Sequence, residues 1–320
     1  MKLPQSTFFF FMMMWFVASL LMSCSHKDID CPAPEAQIEV VFEWDKAHNA
    51  AVDGMTLFFY PLDNHSLAWR FDIAGCHGGR MELPPGTYRL ITCNNDLPGI
   101  RLDDTGSYST IRAVAARRVE KNVYETTGML YGAVIEQVQV TPCIVSYSTP
   151  QGTIKECRKG LIRCQPDSLS TLFTVIINHV KGIERIRAAK MKLTPVSAAM
   201  LLDNNQAVGD YSDSGLYAPM TTNRGEEKLS GIGCAFGLAA SADESYTLTV
   251  NIDTTDGKKI TKSIDIKREN VNSLSSHNVL ISVDRFDVTG GSDIPSGDVG
   301  GIKTDVEGWK TVEIELTPLL

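Results

Sequence analysis

The sequence lacks the basic runs that nucleic-acid-binding proteins use. Its 30 Lys and Arg residues are outnumbered by 38 Asp and Glu residues, which gives a net charge of −8. No segment is locally rich in Lys or Arg. Binding to phosphate backbones depends on such clusters, because each cation releases condensed counterions. The composition therefore excludes nucleic acid as a partner.

Motifs of common enzyme and metal sites are also missing. The sequence has no Gly-x-Ser-x-Gly elbow around Ser197, no phosphate loop, no dinucleotide glycine fingerprint and no closely spaced Cys and His pairs for zinc. Cys76 and His77 place a nucleophile beside a base, but neighbouring residues of a strand point to opposite faces. His179, at a strand end, is expected to be a half-buried packing residue. We therefore expect no enzymatic activity, no cofactor and no metal.

The paired cysteines of a small secreted scaffold are lacking too. Eight cysteines are present, and seven remain when Cys24 is assigned to a lipid, as argued below. An odd number leaves at least one thiol free or paired between molecules. If one bridge forms, the polar stretch between Cys157 and Cys164 favours that pair. The alternative, which we favour, is that most of these cysteines are small buried hydrophobes.

A long apolar run occurs once, at the N-terminus. Residues 8–22 carry no charge, follow Lys2, and end in Leu21-Met22-Ser23-Cys24. A short positive start, an apolar stretch and a small residue before the cut are typical of a signal peptide. The run is shorter than the roughly 20 residues that span a bilayer. We expect cleavage between Ser23 and Cys24, and palmitate-type acyl chains on Cys24 that hold the protein at the outer membrane.

Helical periodicity is nearly absent, and alternation with a period of two dominates. A polar tether, residues 24–36, precedes the alternating run at 37–44, and Asp256-Gly257 predicts a hairpin between two further runs. The strands predict an all-β protein of two antiparallel β-sandwiches. Residues 97–135 leave helix and strand open, and the segment 203–231 is expected to be a surface loop. The predicted domains are residues 37–165 and 166–288.

Residues 289–320 form a separate region. A Gly- and Ser-rich linker, residues 289–301, precedes an alternating run from Gly308 to Leu316. Val312, Ile314 and Leu316 share one face, and Trp309 is out of phase at the start of the run. This run is either an edge strand of its own domain or a strand donated to another molecule.

Three aromatic residues, Trp44, Tyr60 and Trp69, suggest a carbohydrate platform, because sugars stack on exposed rings. Trp44 lies two residues from Phe42, and Trp69 lies two residues from Phe71, so each shares a strand face with another large apolar side chain. We therefore favour burial of these rings in the core.

Several elements are informative in combination, namely the residues around Cys24, 41–44, 54–61, 83–90, 94–96, 236–238 and 306–309. In their order and spacing they resemble the two-domain fimbrillin-type lipoproteins of Bacteroidales, and most closely a subgroup of uncharacterised function. The resemblance implies two tandem transthyretin-like sandwiches, exported to the outer membrane and used in, or derived from, surface pili.

Stalk subunits of that family are matured by an arginine-specific protease that removes the first strand and opens a groove for a partner's C-terminal strand. This chain departs from the pattern, because its first arginine after Cys24 is Arg70, inside a predicted strand. The departure favours a structural or adhesive anchor or accessory subunit that keeps its lipid and contacts other fimbrial subunits by strand addition. The alternative is a glycan-binding outer-membrane lipoprotein for nutrient capture, with a glycan or a host surface as its ligand.

Overall fold

Strands make up nearly all of the regular structure. The computed structural model describes residues 36–289, except 64–66, 142–144, 151, 153, 158–159, 209–213, 238–244 and 268–276. Within these residues the one helical element is a 3₁₀ turn, Ile183–Arg185. The all-β prediction is confirmed. The strands are β1 Ala36–Phe42, β2 Gly54–Pro61, β3 Trp69–Ala74, β4 Gly78–Leu83, β5 Gly86–Asn94, β6 Ile100–Asp103, β7 Arg112–Ala115, β8 Arg118–Glu120, β9 Val123–Glu125, β10 Tyr131–Val140, β11 Val145–Ser148, β12 Ile154–Cys157, β13 Leu161–Cys164, β14 Asp167–Ser168, β15 Thr171–Lys181, β16 Ile186–Thr194, β17 Ala199–Leu201, β18 Gly215–Asn223, β19 Lys228–Ala235, β20 Ser245–Thr254, β21 Lys259–Lys267 and β22 Asn278–Asp287.

The N-terminal half contains two sheets. One has the order β13-β1-β4, and the other has the order β12-β11-β10-β5-β2-β3, with β14 paired to β10. Alternate side chains of both sheets point into one apolar core, which includes Ile38 and Val40 from the first sheet and Leu57, Leu90 and Val138 from the second. We call this the N-terminal core.

The C-terminal half is built on one long sheet with the path β21-β20-β16-β18-β19-β15-β22. The expectation of a loop at 203–231 is wrong, because β18 lies in the middle of this sheet between β16 and β19. Its residues Leu216, Ala218 and Met220 alternate into the core. The Asp256-Gly257 hairpin between β20 and β21 is confirmed, and Gly257 takes the positive φ of +82° that the turn requires.

The segment left open by the sequence, residues 97–135, joins the two halves. Strands β6 and β7 form a small sheet with β17, and β9 pairs in parallel with β18 of the long sheet. A third apolar core lies under this segment, and it combines Phe58 and Ile91 with Met200, Leu202 and Phe236. The two halves therefore share a core, and the domain division near residue 165 stays a prediction.

Candidate functional site

The first strand occupies a slot in the N-terminal half. β1 pairs in parallel with β13 on one side and antiparallel with β4 on the other. Ile38, Val40 and Phe42 are each no more than 5% exposed and point into the N-terminal core. A strand with both edges hydrogen-bonded and one face buried contributes to the fold along its whole length.

Two glycines shape this slot, one on each side of β1. A Cβ atom on Gly78 would lie 1.9 Å from the Val40 carbonyl oxygen, and one on Gly160 would lie 2.4 Å from the Gln37 carbonyl oxygen. Both glycines have positive φ angles, +119° and +68°. Only glycine combines this backbone conformation with so close an approach of another chain.

Ion pairs and backbone bonds extend the contacts at the end of β1. The Glu43 N–H donates to the carbonyl oxygen of Cys164 at 2.8 Å, and Arg163 Nη1 lies 2.6 Å from Glu43 Oε1. The Phe42 N–H donates to the His77 carbonyl oxygen at 3.2 Å. The residue after β1 is therefore held by β13, and the last residue of β1 is held by the residue that precedes β4.

Arg70, the first arginine after Cys24, lies inside a strand as predicted. It is paired with Phe58 in the β2–β3 ladder, and its guanidinium lies 3.2 Å from Asp72 Oδ1. Hydrolysis of a peptide bond requires an extended segment that a protease can lift away. A paired strand does not offer such a segment while the sheet is intact.

No bridge joins Cys157 and Cys164, the pair that the sequence would favour if one bridge formed. Cys164 is a free thiol, 1% exposed, in the N-terminal core. Cys157 ends β12 of the larger sheet, whereas Cys164 ends β13 of the three-stranded sheet, so the two residues belong to different layers. The interpretation as buried hydrophobes is correct for Cys93, Cys164 and Cys234.

The chemistry suggested by Cys76 and His77 is not assembled. The Cys76 sulfur lies 3.9 Å from each ring nitrogen of His77, and among the described residues no carboxylate orients that ring. Within the whole described part of the chain, no group of three or more His, Cys, Asp or Glu side chains is placed so that it could hold a metal ion. Among these residues no helix is long and apolar enough to span a membrane.

His179 differs from its expectation. Its side chain is 70% exposed, and its Nδ1 atom lies 2.6 Å from Asp284 Oδ1. The residue has a φ of +51°, which interrupts the pairing of β15 with β22 and turns the ring toward solvent. The hydrogen bond from His179 lowers the pKa of the Asp284 carboxyl group below its usual range.

The predicted lipid site and the predicted donor strand lie outside the described residues. The first comprises Ser23 and Cys24, and the second comprises Trp309, Val312, Ile314 and Leu316. Both stay predictions.

The three aromatic residues weighed as a sugar platform separate in the structure. Tyr60 is 5% exposed, and its hydroxyl donates to the Thr105 carbonyl oxygen at 3.0 Å. Trp44 is half-buried, and its indole N–H donates to the Cys76 carbonyl oxygen at 2.7 Å. Trp69 is 39% exposed, so burial is correct for Tyr60 and wrong for Trp69.

Trp69 lines an open cleft of about 720 Å³ at one end of the larger N-terminal sheet. We call it the rim cleft. The cleft was not predicted from the sequence, although the prolines that flank the strand ends are visible there. Its described lining residues are Pro61, Leu62, Asp63, Leu67, Ala68, Trp69, Pro84, Pro85, Gly86, Thr87 and Tyr88.

Comparison with known proteins places the chain in a family. Residues 23–214, more than half of the chain, match the family described as Domain of unknown function (DUF5119). The chain belongs to the DUF5119 family. A stretch of 100 residues of this DUF5119 chain is 31% identical to the "Putative fimbrium anchoring subunit Fim4B" of Bacteroides ovatus, and covers 30% of the chain and 29% of that protein.

Two solved structures share the fold of this DUF5119 protein. A crystal structure of a "putative adhesin" from Bacteroides ovatus superposes with a TM-score of 0.58 and 18% identity, over 76% of this chain and 86% of that one. A second "putative adhesin" from the same species gives a TM-score of 0.51 and 14% identity, over 80% and 91% of the chains. The resemblance to fimbrillin-type proteins of Bacteroidales is confirmed.

Proposed function

We propose that this protein is an anchoring or accessory subunit of a fimbria-type surface structure, without catalytic activity. The regional identity to a protein named as a fimbrium anchoring subunit supports this role. The observation that carries the proposal is β1, which fills the centre of its three-stranded sheet in a chain whose first arginine after Cys24 is Arg70, inside β3.

β1 and a strand donated by a neighbouring subunit would compete for the same slot. A subunit that accepts a strand from a neighbour needs an open sheet edge with an apolar floor. Here Ile38, Val40 and Phe42 already cover that floor, and both neighbouring edges are paired to β1. A chain that keeps β1 accepts no donor strand at this position. It therefore fits the end of an assembly, where the polymer is fixed to the cell.

The proposed role also includes a lipid anchor, two similar halves and a strand that contacts the next subunit. Acyl chains on Cys24 hold the chain at the outer membrane, and the 24–36 tether separates the lipid from β1. We infer that each half of the molecule corresponds to one transthyretin-like unit. Contact with the next subunit is made by strand addition, with the run that contains Val312, Ile314 and Leu316 as the donor.

A deletion strain of the native bacterium tests the anchoring role. We expect fimbriae to appear in the culture medium when the gene is removed, and to return to the cells when the full-length gene is restored. A gene carrying Cys24→Ala should express the protein but leave the fimbriae in the medium. Immunoblotting of cell and medium fractions for the stalk subunit measures the effect. Fimbriae that stay on the deletion strain would contradict the proposal.

A second function, glycan binding for nutrient capture, is favoured by one observation, the exposure of Trp69 in the rim cleft. Growth of the deletion strain on single polysaccharides distinguishes it. A growth defect on one polysaccharide, with fimbriae unchanged, would favour nutrient capture over anchoring.

A further inference from the structure

The outer face of the long sheet, the side that points away from its apolar core, has two parts with different chemistry. On β20 and β21 the outward side chains are polar and bond to each other. Thr249 Oγ1 lies 3.1 Å from Ser263 Oγ, and Thr261 Oγ1 donates to Asn251 Oδ1 at 2.8 Å. Polar side chains on the solvent face are usual for an antiparallel sheet with one buried face.

The other part of this face is uncharged and largely apolar. Ile232 of β19 is 58% exposed and Leu280 of β22 is 37% exposed, and both are register partners of Thr174 on the strand between them. We call this part the outer patch. Its residues are Pro219 of β18, Ile232 of β19, Leu172, Thr174 and Ile176 of β15, and Leu280 of β22. Apolar side chains that are exposed together on adjacent strands mark an interaction site, whereas isolated ones need no explanation.

The packing of the core keeps Ile232 on the outer face. Gly231 and Gly233 flank it and point inward, where a Cβ on Gly231 would lie 2.9 Å from Met191 Sδ and one on Gly233 would lie 2.7 Å from Leu216 Cδ2. A slip of β19 by one residue would bring the whole Ile232 side chain into this space, where even a methyl group lies closer than normal contact distance. Removal of Ile232 from water therefore requires a contact from outside.

A cation borders the patch on one side. Lys190 of β16 is paired in register with Pro219, and its Nζ atom lies 5.5 Å from the centroid of the Tyr217 ring. The neighbouring Lys192 lies 3.7 Å from Glu120 Oε2, whereas Lys190 forms no such ion pair within the described part of the chain. A partner with a carboxylate beside an apolar surface would therefore match the patch and its border.

The patch is too small to hold two free chains together. Four strands about 4.8 Å apart, with three outward positions on each, give an area of at most about 400 Å². Each partner of a standard interface contributes roughly 800 Å². Two copies of this chain would also each bring a net charge of −8. The patch therefore fits a partner that a second link holds nearby.

The proposed function supplies such a link at the border of the patch. β22 carries Leu280, and the described chain leaves this strand at Thr289, where the Val288 N–H donates to the Lys181 carbonyl oxygen at 2.9 Å. Residues 290–307 separate Thr289 from the run that the proposed function assigns to strand donation. A Gly-rich chain of this length spans on average about 20–25 Å, which is similar to the width of the patch. The subunit that receives the strand is thus held beside the patch at a high effective concentration.

We propose that the outer patch is a second docking surface for the next subunit, which presents an uncharged aliphatic surface to Ile232 and Leu280 and a carboxylate to Lys190. The inference rests on the proposed function and adds a contact to it. Strand donation alone joins the two subunits through a linker, whereas docking on the patch fixes their relative orientation. A second copy of this chain and its own residues 290–320 are the competing occupants, and cross-linking distinguishes them.

Photo-cross-linking in the fimbriated native bacterium tests the docking. The full-length chain carries benzoylphenylalanine in place of Ile232, and mass spectrometry of tryptic peptides identifies each product. We expect a product that joins position 232 to the stalk subunit. The same analogue in place of Thr261, on the polar part of the same face, is the matched control and should give no such product. Lys190→Glu should lower the yield at position 232 by about twofold, the effect expected from loss of an exposed ion pair.

Release of fimbriae by shear measures the consequence of docking. Cells are passed through a fine needle, and the released stalk subunit is quantified by immunoblotting. Ile232→Asp should raise the released fraction by about threefold, because a carboxylate on the patch opposes burial of the surface around it. Thr261→Asp should leave the released fraction unchanged. Both purified variants should keep the native melting temperature, since both side chains lie on the outer face.

The inference is overturned if position 232 cross-links only to a second copy or to residues 290–320 of its own chain, if it gives no product, if position 261 gives an equal yield, or if Ile232→Asp leaves the release unchanged. An unchanged yield with Lys190→Glu would overturn the carboxylate at the border. The anchoring role is scored separately in the deletion strain. Fimbriae that stay on cells without the gene mean that anchoring fails, whereas loss of fimbriae there with no effect of Ile232→Asp means that only the docking surface fails.

Discussion

At the scale of single residues, burial controls the chemistry of the cysteines. Cys93 and Cys164 are at most 1% exposed, and burial raises the pKa of each thiol to about 12. Burial likewise raises the pKa of Cys234. The thiolate is the reactive form, so these side chains serve as apolar packing and not as nucleophiles.

Thiol labelling checks this conclusion. In the native chain at pH 8 we expect Cys76, which is half-exposed, to react quickly with a disulfide reagent, and Cys93, Cys164 and Cys234 to react only on unfolding. Peptide mass spectrometry identifies the labelled positions, and Cys76→Ser removes its own signal. Rapid labelling of Cys164 before unfolding would show that the N-terminal core is open.

The same burial makes stability depend on pH. The folded state keeps these thiols protonated while the unfolded state ionises them, so the free energy of unfolding should fall as the pH rises from about 9 toward 12.

Cys24 is the residue on which the membrane attachment depends. Cys24→Ala should leave an unprocessed precursor, because the acylated thiol marks the cleavage position in lipoprotein signal peptides. Incorporation of radiolabelled fatty acid and N-terminal mapping measure the result. A mature N-terminus at a residue other than 24, or label that persists in the alanine variant, would be incompatible with this assignment.

At the scale of elements, a strand can be predicted where apolar and polar residues alternate clearly, whether its partners are near or far along the chain. The β20–β21 hairpin follows from two alternating runs and an Asp-Gly turn, and β1 follows from its own pattern. β18 could not be found in this way, because the segment around it is rich in turn-forming residues, and β9 could not, because it has only three residues and pairs in parallel with β18 across the two halves. Their strand state is fixed by tertiary contacts.

Some features of the candidate site could be predicted from the sequence, and one could not. The absence of an arginine between Cys24 and Arg70 is visible in the sequence, and so is the strand around Arg70. The exposure of Trp69 was not, because sharing a strand face with Phe71 indicates burial only where the facing sheet covers that position. Trp69 is the first residue of an edge strand, at the end of the sheet, and remains 39% exposed.

Alanine substitutions at two glycines with different surroundings test how tightly β1 fits its slot. Gly78→Ala should lower the free energy of unfolding by at least about 2 kcal/mol, because the new methyl group would collide with the Val40 carbonyl oxygen in a backbone conformation that is already unfavourable for alanine. Gly75→Ala is the matched control, since Gly75 also has a positive φ but no atom within 4 Å of the added Cβ. It should cost only about 1 kcal/mol.

Urea unfolding of both variants measures the difference, with the midpoint and slope compared to the native chain. Equal losses for Gly75→Ala and Gly78→Ala would mean that β1 yields to the methyl group, and the slot would then be too loose to exclude a donor strand.

At the scale of the whole molecule, the three apolar cores are formed by residues within 36–288. The core that contains Phe58 and Phe236 draws on both halves, and hydrogen bonds from Thr127 Oγ1 to the Cys234 carbonyl oxygen and from the Cys234 N–H to Thr126 Oγ1 lie beside it. We therefore expect the two halves to unfold together and to transmit a pulling force as one unit.

This arrangement bears on the run from Gly308 to Leu316, which is outside the described residues. An alternating apolar run can complete its own sheet or add to the open edge of a neighbour, and an uncovered run of this kind promotes uncontrolled association.

If its partner is another subunit, deletion of residues 302–320 should leave the melting temperature nearly unchanged and abolish co-purification with fimbriae. The full chain carrying Val312→Asn, Ile314→Asn and Leu316→Asn should behave in the same way, because these three side chains form the inserted face. Trp309→Ala is the matched control and should retain most of the association, since Trp309 is out of phase with that face. Thermal unfolding followed by circular dichroism and immunoblotting of purified fimbriae are the two measurements. A drop in melting temperature of several degrees on deletion would show that the run belongs to the C-terminal sheet of its own chain, and strand donation would then be the wrong mechanism for this protein.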